Sequence, residues 1–219
     1  MWVYLYQSWT EKELKNAYIG EYEFVTKYQE VEYIQSSWTQ YIDTWFTPNS
    51  TSKVIFKISN FTINSSTQYI YWTYSTRWNN MFSLLWNSTW QWWTNWELCF
   101  WSTQYSLTSW NLWNWWTHTW EVSSNWFYLD WTKIVSVSWT FSWANSMTLF
   151  AWHMNTNIWF HKGSFKLYYF KIYENWTLVR DFVPCYRKSD SVIWLYDLVN
   201  SVFYTNAGTW TFTKWADVN

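Results

Sequence analysis

From Gln29 onward, short apolar runs alternate with polar positions and are broken by turn residues at roughly 8–12-residue spacing, the pattern of an all-β sandwich. Lys53-Val54-Ile55-Phe56-Lys57-Ile58 sets the type. Val54, Phe56 and Ile58 share one face and the two lysines the other, which predicts a strand with one buried side. Residues 68–74, 81–85, 97–100, 147–151 and 165–173 repeat the pattern. Two hairpins stand out, 127–129 joined to 133–137 through Asp130-Trp131, and 170–173 joined to 178–183 through Asn175-Trp176. No convincing helical periodicity is present, so the expected fold is an antiparallel β-sandwich. Its expected core comprises Ile34, Ile42, Val54, Phe56, Ile58, Phe82, Leu149, Leu167, Ile172, Val179, Phe182 and Leu195, a set that a one-residue register error would turn outward.

Residues 1–27 are more charged and form a separate appendage or linker module. Val3 to Tyr6 is strand-like, and Glu11 to Ile19 suits one helical turn and a β-hairpin equally. Residues 28–219 form the sandwich domain. Between Trp86 and Trp120 the chain is rich in Trp, Asn, Ser and Thr, and is expected to run as long surface loops around strands near Cys99 and Tyr105.

Composition changes this picture. A chain of 219 residues normally holds roughly 15 glycines. This one holds three, Gly20, Gly163 and Gly208, beside 27 tryptophans. The tryptophans cluster in turn positions, giving Asn95-Trp96, Asn114-Trp115, Asn125-Trp126, Asp130-Trp131 and Asn175-Trp176 where Asn-Gly and Asp-Gly are the strongest hairpin signals. A type I′ turn needs φ > 0 at both central residues, which costs a bulky L-residue about 1–2 kcal/mol. The expectation is a gene that uses UGA for glycine, translated as though UGA meant tryptophan. Returning every tryptophan to glycine would give about twice the average glycine share, so a few would be genuine. The alternative is a true Trp-rich protein with many sugar-stacking platforms. Its turns would then expose enough apolar surface to invite aggregation.

Charge and cysteines narrow the function. Net charge is −1 with 13% charged residues, so no basic footprint for nucleic acid exists. Arg187-Lys188 before Asp190 is a solvated turn. No long apolar stretch suits a membrane span, and Met1 to Glu13 lacks the basic and apolar regions of a signal peptide. Cys99 and Cys185 lie far apart in no metal-type spacing. They read as two isolated strand or core cysteines, with a single disulfide as the other possibility. Asn-x-Ser/Thr triplets such as Asn49-Ser50-Thr51 are expected by chance in so polar a chain.

With glycine written for tryptophan, Tyr33-Ile34-Gln35-Ser36-Ser37-Trp38-Thr39-Gln40-Tyr41-Ile42-Asp43-Thr44-Trp45 resembles the opening of LamG-like domains of bacterial surface and phage structural proteins. Phe170 to Cys185, Tyr186 to Asp190, Val192 to Asp197 and Phe203 to Trp215 resemble the closing segments of the same family. Tryptophan falls on the family's glycine at 38, 45, 176, 194, 210 and 215, whereas Gly208 is already glycine. The resemblance spans roughly 29–217 and is weak between about 86 and 126. It implies a concanavalin A-like jelly roll whose first and last strands lie side by side, here the strand near Tyr33 to Phe46 and that near Thr209 to Lys214.

The implied function is a non-catalytic binding or adhesion module at an extracellular surface or on a virion, recognising glycan or another cell-surface ligand. Other virion or envelope subunits are possible partners, and neither nucleic acid nor membrane insertion is expected. A structural virion domain that binds no sugar is the second reading, and a glycoside hydrolase the third. Glycosidases of this architecture carry paired carboxylates on one strand. The nearest pairs here, Glu21/Glu23 and Glu30/Glu32, are expected to face solvent from strands. His118, His153 and His161 carry no nucleophile signature. The candidate ligand-binding residues are Tyr74, Arg77 and Asn79 in one loop and His153 and Asn155 in another, since sugars need an aromatic face and hydrogen-bonding side chains. No metal site or cofactor is expected. Related domains sometimes hold Ca²⁺, for which Asp43 and Asp197 would be the ligands, but turn capping is the simpler role for both.

Overall fold

The computed structural model describes residues 24, 26–61, 67–73, 81–88, 94–101, 103–107, 116–138, 140, 145–154, 157–159 and 163–218. The described elements are all β except for a helical turn at Phe24, Thr26 and Lys27.

In chain order the strands are β1 (Tyr28–Glu30), β2 (Ile34–Gln35), β3 (Ile42–Asp43), β4 (Ser52–Ser59), β5 (Gln68–Trp72), β6 (Met81–Ser88) and β7 (Thr94–Trp101). There follow β8 (Thr103–Leu107), β9 (His118–Ser123), β10 (Trp126–Leu129), β11 (Thr132–Ser136), β12 (Thr148–Leu149), β13 (Trp152–Met154) and β14 (Asn157–Trp159). The last five are β15 (Lys166–Glu174), β16 (Thr177–Arg187), β17 (Ile193–Asp197), β18 (Val202–Tyr204) and β19 (Thr213–Lys214).

Two antiparallel sheets face each other. The larger runs β11-β10-β9-β4-β15-β16-β17-β18, with β1 on β16 and β2 joining β15 to β19; the smaller runs β3-β12-β5-β6-β7-β8. A separate ribbon pairs β13 with β14. The terminal segments meet as expected: Ile34 pairs Lys214, Gln35 pairs Thr213, and Val31 bridges Asp217.

One core fills the space between the sheets. Along β4, buried and half-buried positions alternate, sending Val54, Phe56 and Ile58 inward. From the larger sheet they meet Leu167, Phe170 and Ile172 of β15, Trp120 and Val122 of β9, Phe127 of β10 and Phe182 of β16; the smaller sheet supplies Tyr71, Phe82, Leu84, Trp86, Trp96, Leu98 and Leu149. Full burial of each such side chain contributes about 1.5–3 kcal/mol, so this layer dominates the stability. A register shift between Tyr69 and Tyr71 in β5 lets the adjacent Ile70 and Tyr71 both enter the core, as a bulge does. Of the twelve expected core residues, only Val179 is half-buried, packed against the cluster from its edge.

Both sheets also bury apolar groups on their outer sides. Tyr69, Trp72, Leu85 and Cys99 cluster on the smaller sheet. On the larger sheet Phe24 packs with Cys185 and Tyr196, flanked by Tyr28, Val183 and Phe203. Cys99 and Cys185 are buried and lie on different sheets, the isolated-cysteine arrangement rather than a disulfide. Burial, and then the charge of Glu30 across the strand pair, push the Cys185 thiol well above its ordinary value.

The turn expectations divide. Leu129 pairs Thr132 and Glu174 pairs Thr177, so Asp130-Trp131 and Asn175-Trp176 are two-residue hairpin loops. Their φ values are 46° and 67°, then 47° and 67°, the positive pairs of a type I′ turn. Asn95-Trp96 is not a turn: it lies inside β7, Trp96 opposes Trp86, and its indole is buried. Asn125-Trp126 is displaced too, because the bend falls at Ser124-Asn125 and Trp126 opens β10. Asn114-Trp115 lies outside the described residues. The strands expected near Cys99 and Tyr105 are β7 and β8, which pair as a hairpin, and β6 runs on to Ser88, into the start of the stretch expected as loop. Burying Trp86 and Trp96 against Phe61 outweighs the polar composition of that stretch.

Candidate functional site

The sheet order β9-β4-β15 brings three chain reversals together. Lys53 pairs Ser123 on one side and Tyr173 on the other, while Ser52 pairs Glu174. The loop before β4, the β9–β10 turn and the tip of the β15–β16 hairpin therefore share one end of the larger sheet. Between them lies a cleft of about 160 Å³, lined among others by Ser52, Lys53, Asn125, Trp126, Tyr173 and Asn175.

Local bonding holds its walls. Ser124 Oγ donates to the Ser50 carbonyl at 2.5 Å, and the Asn49 side-chain amide donates to Glu174, tying the β4 entry to both neighbours. Trp126 Nε1 donates to Glu121 Oε1 at 2.8 Å, which fixes its ring beside Trp176, 5.5 Å between centroids. Lys53 Nζ sits 3.7 Å from Glu121 Oε1, 4.6 Å from the centre of the Tyr173 ring and 5.4 Å from that of Trp176. The cleft thus combines aromatic faces with hydroxyls, two exposed side-chain amides and one ammonium, which suits a polyhydroxylated ligand.

Tyr74, Arg77, Asn79 and Asn155 lie outside the described residues, and His153 is placed only by its backbone, in β13 opposite Ile158. The sequence offered a signal for the cleft, because Asn125 and Asn175 are recognisable turn residues. What it lacked was the strand order that brings their turns together across β4.

The aspartates considered for Ca²⁺ act as turn caps. Asp43 Oδ1 accepts the Trp45 N–H at 2.8 Å and a hydrogen bond from the Ser146 hydroxyl. Asp197, fully buried, accepts from Asp181 N at 2.9 Å, Val199 N at 3.1 Å and Asn200 Nδ2 at 2.6 Å, with Arg180 Nε 3.5 Å away. His118 Nδ1 lies 2.6 Å from Asp130 Oδ2, and Asp130 Oδ1 accepts the Thr119 N–H, so this pair braces the β10–β11 turn. Glu30 is half-buried opposite Cys185 rather than solvent-facing, while Glu32 is exposed; Glu21 and Glu23 lie outside the described residues. Burial and the nearby Asp181 charge raise the Glu30 carboxyl above its ordinary value. Glu97 is a buried carboxylate on β7 that the sequence pattern did not single out.

Among the described residues no three of His, Cys, Asp and Glu come together as a metal-binding group, and no helix is long and apolar enough to cross a membrane. Comparison of the chain with protein-family models, with curated proteins and with solved structures finds no match.

Proposed function

We propose that this chain is a non-catalytic binding module that recognises a glycan at a bacterial surface or on a virion. The observation supporting the reading is the cleft at the β9-β4-β15 end, where Tyr173 offers a ring, Lys53 an ammonium, and Asn125 and Asn175 amides. An aromatic face stacks on the C–H side of a sugar ring, while amides and hydroxyls satisfy its hydroxyls. Sugar stacking is sequence-economical, which fits a site built from loop tips on a rigid sheet. The LamG-like resemblance of residues 29–217 supports the same role, as fold-level analogy.

A glycan array probed with the purified chain tests the proposal, with Tyr173→Ala and Asn125→Ala as variants. Binding to a defined set of glycans that each variant weakens at least ten-fold, with the folded state intact, is the expected result. An array without bound glycans, or binding unchanged in both variants, overturns it and leaves the structural virion domain as the better reading.

A further inference from the structure

We propose that glycine, not tryptophan, occupies positions 38, 45, 131, 176 and 210 in the protein its own cell makes, the tryptophans being UGA codons that the cell reads as glycine. Eleven described non-glycine residues have φ > 0, and five of them are these tryptophans, with φ of 76°, 50°, 67°, 67° and 63°. Asn60, Asp130 and Asn175 belong to the types that tolerate the left-handed region, Ser191 and Ser201 are small, and Phe150 is the one other bulky aromatic among the eleven; for a bulky aromatic such a φ is an outlier. The two described glycines do not adopt positive φ. They sit instead where a side chain has no room: a Cβ on Gly208 would lie 2.1 Å from the Thr39 carbonyl oxygen, and one on Gly163 2.7 Å from that of Tyr69. Positions demanding conformational freedom and positions demanding space are the two places glycine is used. In this chain tryptophan is the residue most often written in the first class, at five of the eleven described positions.

Solvent exposure agrees. Trp45, Trp131, Trp176 and Trp210 are 70–80% exposed, whereas every phenylalanine of described burial is buried except the half-buried Phe203. Tryptophan ordinarily ranks among the well-buried residues. Buried indoles fit poorly in another way, since Nε1 of Trp86, Trp96 and Trp120 has no hydrogen-bond acceptor. The same reading extends to every other tryptophan here that UGA encodes. The cleft residues on which the proposed function rests, Tyr173, Lys53, Asn125 and Asn175, are not tryptophan and are the same under either reading.

The gene and the native protein decide. The expected codon at all five positions is UGA, and UGG at any of them overturns the proposal there. Trypsin releases Ile172 to Arg180 after Lys171; from natively produced protein this peptide should be lighter by the difference between a tryptophan and a glycine residue and lack indole absorbance. A native peptide of tryptophan mass overturns the inference even where the codon is UGA. Recombinant chains give an independent check, because each Trp→Gly change at 131 or 176 should shift the folding equilibrium about ten-fold toward the native state. Equal or lower stability in both variants counts against it.

Discussion

Tryptophan meets opposite conditions at the hairpin tips of the larger sheet and in the layer between the sheets. At the tips, Trp131 and Trp176 hold positive φ with their indoles in water. Between the sheets, Trp96 and Trp120 take ordinary strand positions, 4.9 Å apart by ring centroid and almost fully buried. The first pair is strained in the backbone and gains little from burial. The second gains burial but leaves an N–H without an acceptor. Phe56, with no polar atom and a strand backbone, escapes both penalties: it stacks on Phe170 at 5.2 Å and lies parallel to Trp120 at 6.2 Å in the same layer, whereas Phe150, buried at φ 70°, carries the backbone penalty alone. The lesson is that ring size does not decide where an aromatic residue fits. Backbone conformation decides at the tips, and hydrogen-bonding capacity decides in the core.

The largest effect should come from the layer between the sheets. Phe56→Ala removes a fully buried ring touching both sheets and should cost about 3–5 kcal/mol in urea unfolding, because the surrounding rings cannot collapse into the space. A loss under about 1 kcal/mol would mean that β4 is not central to the core.

At the tips the sign reverses. Trp131→Gly should stabilise by about 1–2 kcal/mol, read as a higher urea midpoint with an unchanged slope. A destabilised variant would show that the indole makes a contact worth more than its strained backbone costs.

Trp120→Phe probes the same residue type in the interior and should fall within about 1 kcal/mol of neutral, since lost volume is offset by removing an unsatisfied donor. A cost well above 2 kcal/mol would show that the volume of the indole, rather than its N–H, controls the site.

The smallest effect concerns pH at β1, away from both regions. The Glu30 carboxyl is raised in the folded state by burial first and Asp181 second. Its contribution to stability is therefore full below the ordinary glutamate value and is lost as pH rises through the folded-state value. Glu30→Gln should flatten that part of the stability profile while leaving the response of the tips and core unchanged. A profile identical to that of the parent would remove Glu30 as the cause.

The alternation in Lys53 to Ile58 and the apolar runs around Phe82, Leu167 and Phe182 were enough to place strands and choose their inward faces, because a strand's side-chain period is fixed by its own backbone. The two I′ hairpins were legible for a similar reason: two central residues set the turn. Asn95-Trp96 misled, since the same dipeptide becomes mid-strand when Trp86 opposes it and Phe61 covers it. The cleft was not legible either. Ser52, Ser123 and Tyr173 are far apart in the chain, and only the placing of β4 between β9 and β15 makes their loops neighbours. By itself the sequence determined the class of fold, the inward set of residues and the anomaly of its tryptophans, all properties of local period and local turn geometry. Tertiary structure alone decided which tryptophans are strained, which are buried and which turns converge on a site, because those depend on strand order and long-range pairing that no short window of residues contains.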